Sequence, residues 1–213
     1  MAGESAVIDE DLVSAIEGSR EATGRLFDTL EQIDDSVAVH PSRLPGWSVG
    51  HVLTHLARNA DSFVRLLTAA AEGREVRQYP GGDAGRNKDI EEGAKRPAAE
   101  ILGDLRTAAV RLDATWAEMP AEVWQRQGLR NDGAPLACRL LPISRWREVE
   151  VHHVDLGLGY SVSNWPAQFV VSDLPHALNR LPGRIEDPEQ KASFLAWIYG
   201  RASEPTGVVL RPF

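Results

Sequence analysis

The sequence predicts a mainly α protein: an antiparallel four-helix bundle followed by a small carboxyl-terminal α/β cap. Three observations carry this. Four long segments repeat apolar residues at intervals of three and four, the period of a helix with one buried face. The composition, 43% hydrophobic and 25% charged, is that of a globular chain rich in helix formers. After Gly159 the texture changes, with prolines at 166, 175, 182 and 188 and short strand-like runs.

The first helix is expected from about Asp9 to Ile33, where Leu12, Ile16, Phe27 and Leu30 share a face and acidic residues sit early, against the positive end of the helix dipole. A second begins sharply after the Pro45-Gly46 turn. Ser48 can cap it by accepting from the amide of Gly50 or His51, with Trp47 and Val52 placed as a hydrophobic staple. Val49, Val52, Leu53, Leu56, Phe63, Leu66 and Leu67 carry its apolar face to about Ala71. The next stretch, GREVRQYPGGDAGRNKDIEEGAK, is glycine-rich, charged and too long for a bundle turn, so it reads as a functional loop. A third helix spans Pro97 to Met119 on Leu102, Leu105, Ala109, Leu112 and Trp116, and a fourth runs from about Leu140 to Leu158. In the tail, FVV and GVVL read as short strands and Asp187 to Arg201 as one more helix. The domain division expected is a bundle over residues 1–160 and a short α/β extension over 161–213.

The bulk properties bound the function. A single cysteine, Cys138, excludes an internal disulfide framework and a multi-cysteine zinc site, and fits a reducing cytoplasm. No apolar run approaches the roughly 18 residues of a membrane span, and the acidic start MAGESAVIDEDL lacks a signal peptide's basic region. A net charge of -8 disfavours nucleic acid as a partner, and a small anionic substrate would need local positive charge. The chain is expected to be a monomer or homodimer without membrane partners.

The chemistry concentrates in two stretches. In SRWREVEVHHVDLGLG, Glu148, His152 and Asp155 stand at i, i+4 and i+7 and project from one helix face. A carboxylate and an imidazole one turn apart can ligate one divalent ion, and a histidine from a facing helix would complete a two-nitrogen, one-oxygen set with open positions. Asp155 could orient an imidazole as its acceptor. His153 points about 100 degrees from His152 and cannot easily share its ion. In LPGWSVGHVLTHLARNA, His51 and His55 also stand one turn apart, so that on spacing alone either, both or neither could be a ligand. A solvated helix face remains the plain alternative. His176, in the proline-rich tail, reads as a surface or capping residue.

LPGWSVGHVLTHLARNA together with REVEVHHVDLGLG resembles the mycothiol-dependent maleylpyruvate isomerase family of the DinB-like superfamily. The resemblance implies a DinB-like four-helix bundle with a divalent metal held between helices by His55, Glu148 and His152, and zinc is the metal expected here. His51 becomes a neighbour near the mouth of the site. Arg86 in AGRNKDIEEG and Arg201 in YGRAS match arginines that the family uses to bind or polarise the substrate. The implied reaction converts maleylpyruvate to fumarylpyruvate: the thiolate of mycothiol, a low-molecular-weight thiol cofactor, adds to the cis double bond and leaves after rotation. Cys138 could supply a thiol in principle, but among Leu136, Ala137 and Leu140 it is expected to be a buried structural residue. Relatives with the same triad transfer mycothiol or other thiols to electrophiles, so a thiol S-transferase is the enzymatic alternative. A non-catalytic metal- or ligand-binding module is the other.

Overall fold

The computed structural model describes residues 9–210 and divides by contacts into two compact units, Met1–Trp165 and Pro166–Phe213. The first unit contains α1 (Glu10–Thr29), a short α2 (Asp35–Ala38), α3 (Val49–Ala71), α4 (Gly82–Gly93), α5 (Ala98–Glu118) and α6 (Leu141–Asp155). Between α5 and α6 a 3-10 turn leads into a two-stranded antiparallel ribbon, β1 (Gln127–Leu129) and β2 (Pro135–Ala137), with Gln127 opposite Ala137. The four long helices α1, α3, α5 and α6 form the bundle. Leu26, Leu30, Leu53, Leu56, Leu66, Ile101, Leu105 and Leu141 fill its core, all but fully buried. Burying a side chain of that size contributes about 1.5–3 kcal/mol against the entropy of ordering the chain.

Contacts along the helices fix their directions. Gly18 lies against Trp146, Arg25 reaches Glu150 and Thr29 meets His153, so residue numbers rise together and α1 runs parallel to α6. Gly50 lies beside Ile101, while Arg58 reaches Asp104 and Asp61 meets Arg111, so α3 runs parallel to α5. Arg20 pairs with Asp113 while Arg106 covers Phe27, and His55 meets Glu148 while Asn59 meets Arg145, so α1/α5 and α3/α6 are the antiparallel pairs. Two helices therefore point each way. The parallel α3/α5 pair requires a connection that travels back along the bundle.

That connection is the long glycine-rich stretch. It was expected as a loop, and residues 82–93 instead form α4. The sequence hides this helix because only Ile90 and Gly93 in it are buried, too few for an apolar period. Gly81 and Gly82, with φ of 77° and 63°, make the turn that starts it. Its far end docks on α3, since Gly93 has room for no side chain against Thr54.

In the second unit α7 (Ala167–Arg180) and α8 (Pro188–Ile198) account for the regular structure, joined through a 3-10 turn at Leu181–Gly183. The FVV run, expected as a strand, lies inside α7, and GVVL forms no strand. Val171, Leu174 and Leu178 recur at helical spacing, which outweighs the β preference of two adjacent valines. Pro175 does not end α7 but sits within it. Asp187 caps α8 by accepting from the amides of Glu189 and Gln190, with Pro188 in the first turn. Among the described residues no helix is long and apolar enough to cross a membrane.

Candidate metal centre

The start of α3 sets the height of its histidines. The Ser48 hydroxyl accepts from the His51 amide at 3.4 Å, and His51 Nδ1 accepts from the Ser48 amide at 3.1 Å. This is a reciprocal capping box with histidine where glutamate or glutamine is usual. His51 Nε2 lies 3.4 Å from Glu91 of α4. Both of its ring nitrogens are thus engaged by the cap and by α4.

His55 stands one turn deeper and is 4% exposed. Its Nε2 lies 2.8 Å from Glu148 Oε2, across the antiparallel α3/α6 contact. His152 Nε2 lies 3.4 Å from the same oxygen, and the two imidazoles meet edge to face with centroids 4.7 Å apart. One donor atom from each of the three residues falls within 4.8 Å of the others. His152 Nδ1 is held by Asp155 Oδ2 at 2.8 Å, which turns Nε2 towards the shared space. Glu148 and His152 retain some exposure, so the cluster opens outward.

Arg86 arrives from α4. Its Nη2 lies 3.0 Å from His55 Nδ1 and its Nη1 donates to Asn87 Oδ1 at 3.0 Å. The guanidinium sits 5.9 Å from the ring centres of both Trp47 and Tyr79. Trp47 also packs against His51 and His55. The sequence had marked Trp47 only as a staple and Tyr79 not at all. No local pattern announces an aromatic that acts on a residue of another segment.

Electrostatics separate the three donors. Burial pushes His55 down to about 4, despite the opposing pull of Glu148. Burial also works against the charge on Glu148, but the bonds from His152 and His55 outweigh it and hold the carboxyl well below its ordinary range. For His152 burial is outweighed by Asp155 and Glu148, which raise it to about 9. A neutral imidazole, a carboxylate and an imidazole with an orienting acceptor fit a divalent ion of borderline softness. The donor set does not separate zinc from iron, nickel or manganese.

The remaining sequence candidates have other partners. His153 turns to the opposite side of α6, stacking on Tyr160 at 3.7 Å with Nε2 2.8 Å from the Thr29 hydroxyl. Arg201 is exposed in the second unit just past α8, its amide donating to the Ala196 carbonyl. Cys138 is fully buried, and burial raises its thiol to about 11, so it is no ready nucleophile. Sequence reasoning missed Glu150, a buried carboxylate that accepts from Arg25 at 2.7 Å, from the Trp146 indole at 3.2 Å and from the Tyr160 hydroxyl. A carboxylate between buried Val149 and His153 signals a partner, but the partner, 125 residues away, is visible only in the fold.

The mycothiol maleylpyruvate isomerase N-terminal domain family matches residues 19–157, a span that contains His55, Arg86, Glu148 and His152. Among solved structures, the chain is similar to a mycothiol-dependent maleylpyruvate isomerase and to a histidine-to-alanine variant of it. Each is 25% identical with a TM-score of 0.71, over 76% of this chain and 67% of the other. No curated protein matches.

Proposed function

The chain belongs to the mycothiol maleylpyruvate isomerase family, and from that premise we propose that it is a cytoplasmic, mycothiol-dependent isomerase that converts maleylpyruvate to fumarylpyruvate. His55, Glu148 and His152 hold a divalent ion, zinc by expectation, and Arg86 and Arg201 bind the anionic substrate. The observation that supports this most is the convergence of the three donors from two facing helices with a guanidinium at their edge.

A divalent ion held by His55, Glu148 and His152 would supply a Lewis acid that lowers the pKa of a bound thiol or water. The chain's own residues do the rest. Asp155 fixes the orientation of His152. Trp47 and Tyr79 each place a ring 5.9 Å from the Arg86 guanidinium, so its permanent charge is ordered before an anion arrives. On a chain of net charge -8 such fixed positive points select a dicarboxylate and stabilise enolate-like charge as it develops.

The test is isomerisation of maleylpyruvate with added mycothiol, comparing the wild type with Glu148→Gln and His55→Ala. Losses of at least about a hundredfold are expected, in line with removing a ligand or an essential electrostatic group. Activity within a few-fold of wild type in either variant would overturn the assignment. A thiol S-transferase is the second reading. The family match is to an N-terminal domain and ends at residue 157, so the segment with Arg201 lies beyond it. Mycothiol conjugation to monobromobimane without isomerisation would select it.

A further inference from the structure

The ribbon of β1 and β2 is continued by the segment that joins α3 to α4. The Gln78 amide donates to the Leu129 carbonyl at 2.8 Å and the Leu129 amide to the Val76 carbonyl at 3.0 Å, so residues 76–78 lie along β1. Asn131 stands in the turn between β1 and β2, which the Arg130 amide closes by donating to the Ala134 carbonyl at 2.8 Å. The Asn131 carbonyl accepts from Arg77 Nη1 at 2.8 Å. Its side chain faces the start of α4: Oδ1 accepts from the Tyr79 amide at 3.3 Å, and Nδ2 donates to Asp83 Oδ1 at 2.7 Å. One side-chain amide thus holds both ends of the turn that Gly81 and Gly82 make. Its acceptor and a donor are both used, the donor on a carboxylate, which makes the stronger kind of bond.

This end of α4 needs an external hold. Residues 82–89 bury no side chain, and the buried residues of the helix, Ile90 and Gly93, lie in its last turn. Among the described residues, α4 side chains hydrogen-bond to other elements at three places: Glu91 to His51, Arg86 to His55 and Asp83 to Asn131. Asp83 lies less than one helical turn before Arg86. Tyr79, at the other end of the clamp, has its ring 5.9 Å from the Arg86 guanidinium. The same amide therefore holds the helix that carries Arg86 and the backbone of the aromatic residue beside it.

We propose that Asn131 is a positioning residue for substrate binding: it fixes the first turn of α4 and the Tyr79 backbone, so that the Arg86 guanidinium stands ready beside the metal donors for a carboxylate. The proposal rests on the reading of Arg86 as a substrate-binding residue. Among the described residues, Asn131 bonds to none of the metal donors.

Asn131→Ala removes both bonds, and Asn131→Asp sets a carboxylate against Asp83. Adding Asp83→Asn to the latter restores both bonds, with the carboxylate at 131 accepting from the Tyr79 amide and from the new amide at 83. The full chain with zinc added is compared by hydrogen exchange of the α4 amides, by the rate at which phenylglyoxal modifies Arg86, read by peptide mass spectrometry, and by KM and kcat for maleylpyruvate with mycothiol. Asn131→Ala should speed exchange over residues 86–89 and modification of Arg86 about tenfold, and raise KM about tenfold with kcat changed by less than about threefold. Exchange in α3 and α5 and the zinc content should stay at wild-type values, which a general loss of stability would not allow. Asn131→Asp should be at least as impaired, and Asn131→Asp with Asp83→Asn should return every readout to within about threefold of wild type. The proposal is overturned by unchanged exchange and modification in Asn131→Ala, by an unchanged KM in that variant, or by a double variant as impaired as Asn131→Asp. A wild type that does not isomerise maleylpyruvate refutes the isomerase reading instead, and the exchange and modification rates then decide whether Asn131 places Arg86.

Discussion

At the residue scale the two histidines of α3 carry different duties although they are one turn apart. His51 closes the capping box with Ser48, and His55 faces Glu148. His51→Ala should therefore leave metal content at the wild-type level while costing about 1 kcal/mol of stability through the lost cap. His55→Ala should lose the metal. Elemental analysis with urea unfolding separates the two, and metal loss in His51→Ala would refute the division of roles. The spacing of His51 and His55 made them equivalent candidates on the sequence alone. Their separation depends on where the helix starts, which Ser48 announces locally, and on what lies opposite, which it does not.

At the scale of elements, α4 is the part with the least local signal and the most consequence for the site. It exists because α3 and α5 run parallel, so the chain must return along the bundle, and on the way it lays Arg86 beside His55. Its seating depends on the close approach of Gly93 to Thr54. Gly93→Ala should cost about 1–3 kcal/mol and raise KM for the anionic substrate with metal content unchanged, because the strain moves Arg86 and not the metal donors. Adding Thr54→Ser, which removes the methyl that the new side chain meets, should restore most of both quantities. A double variant as impaired as the single one would show that the contact is not what seats the helix. The charged, glycine-rich composition of this segment reads as loop because its helix buries one face only at Ile90 and Gly93.

At the scale of the whole molecule, the proposed ion would tie α3 to α6, two helices whose donors are 93 residues apart in sequence. A ligand bound only by the folded state stabilises it by mass action, about 2.7 kcal/mol at a hundredfold excess over Kd. For a chain of this length that corresponds to roughly 5–10 °C in Tm. Chelation of the metal-loaded protein should lower Tm by that order, and His55→Ala should start at the lower value and not respond. Equal Tm with and without chelator would remove the ion from the account of stability.

The sequence by itself determined the four long helices, the Ser48 cap of α3, and the pairing of Glu148 with His152 on one face, because these depend on spacing and chemistry within one turn or two. It also carried, through two separated motifs, the expectation that His55 completes the set. The tertiary structure decided which helices run parallel, that the connecting stretch is a helix, that Arg86 rests on His55, and that Glu150 gathers Arg25 and Tyr160. It also decided that FVV is helical and that Asn131 joins Tyr79 to Asp83. Each of these follows from contacts between segments far apart in the chain, and such contacts are set by how the apolar faces pack together, which no local pattern of residues records.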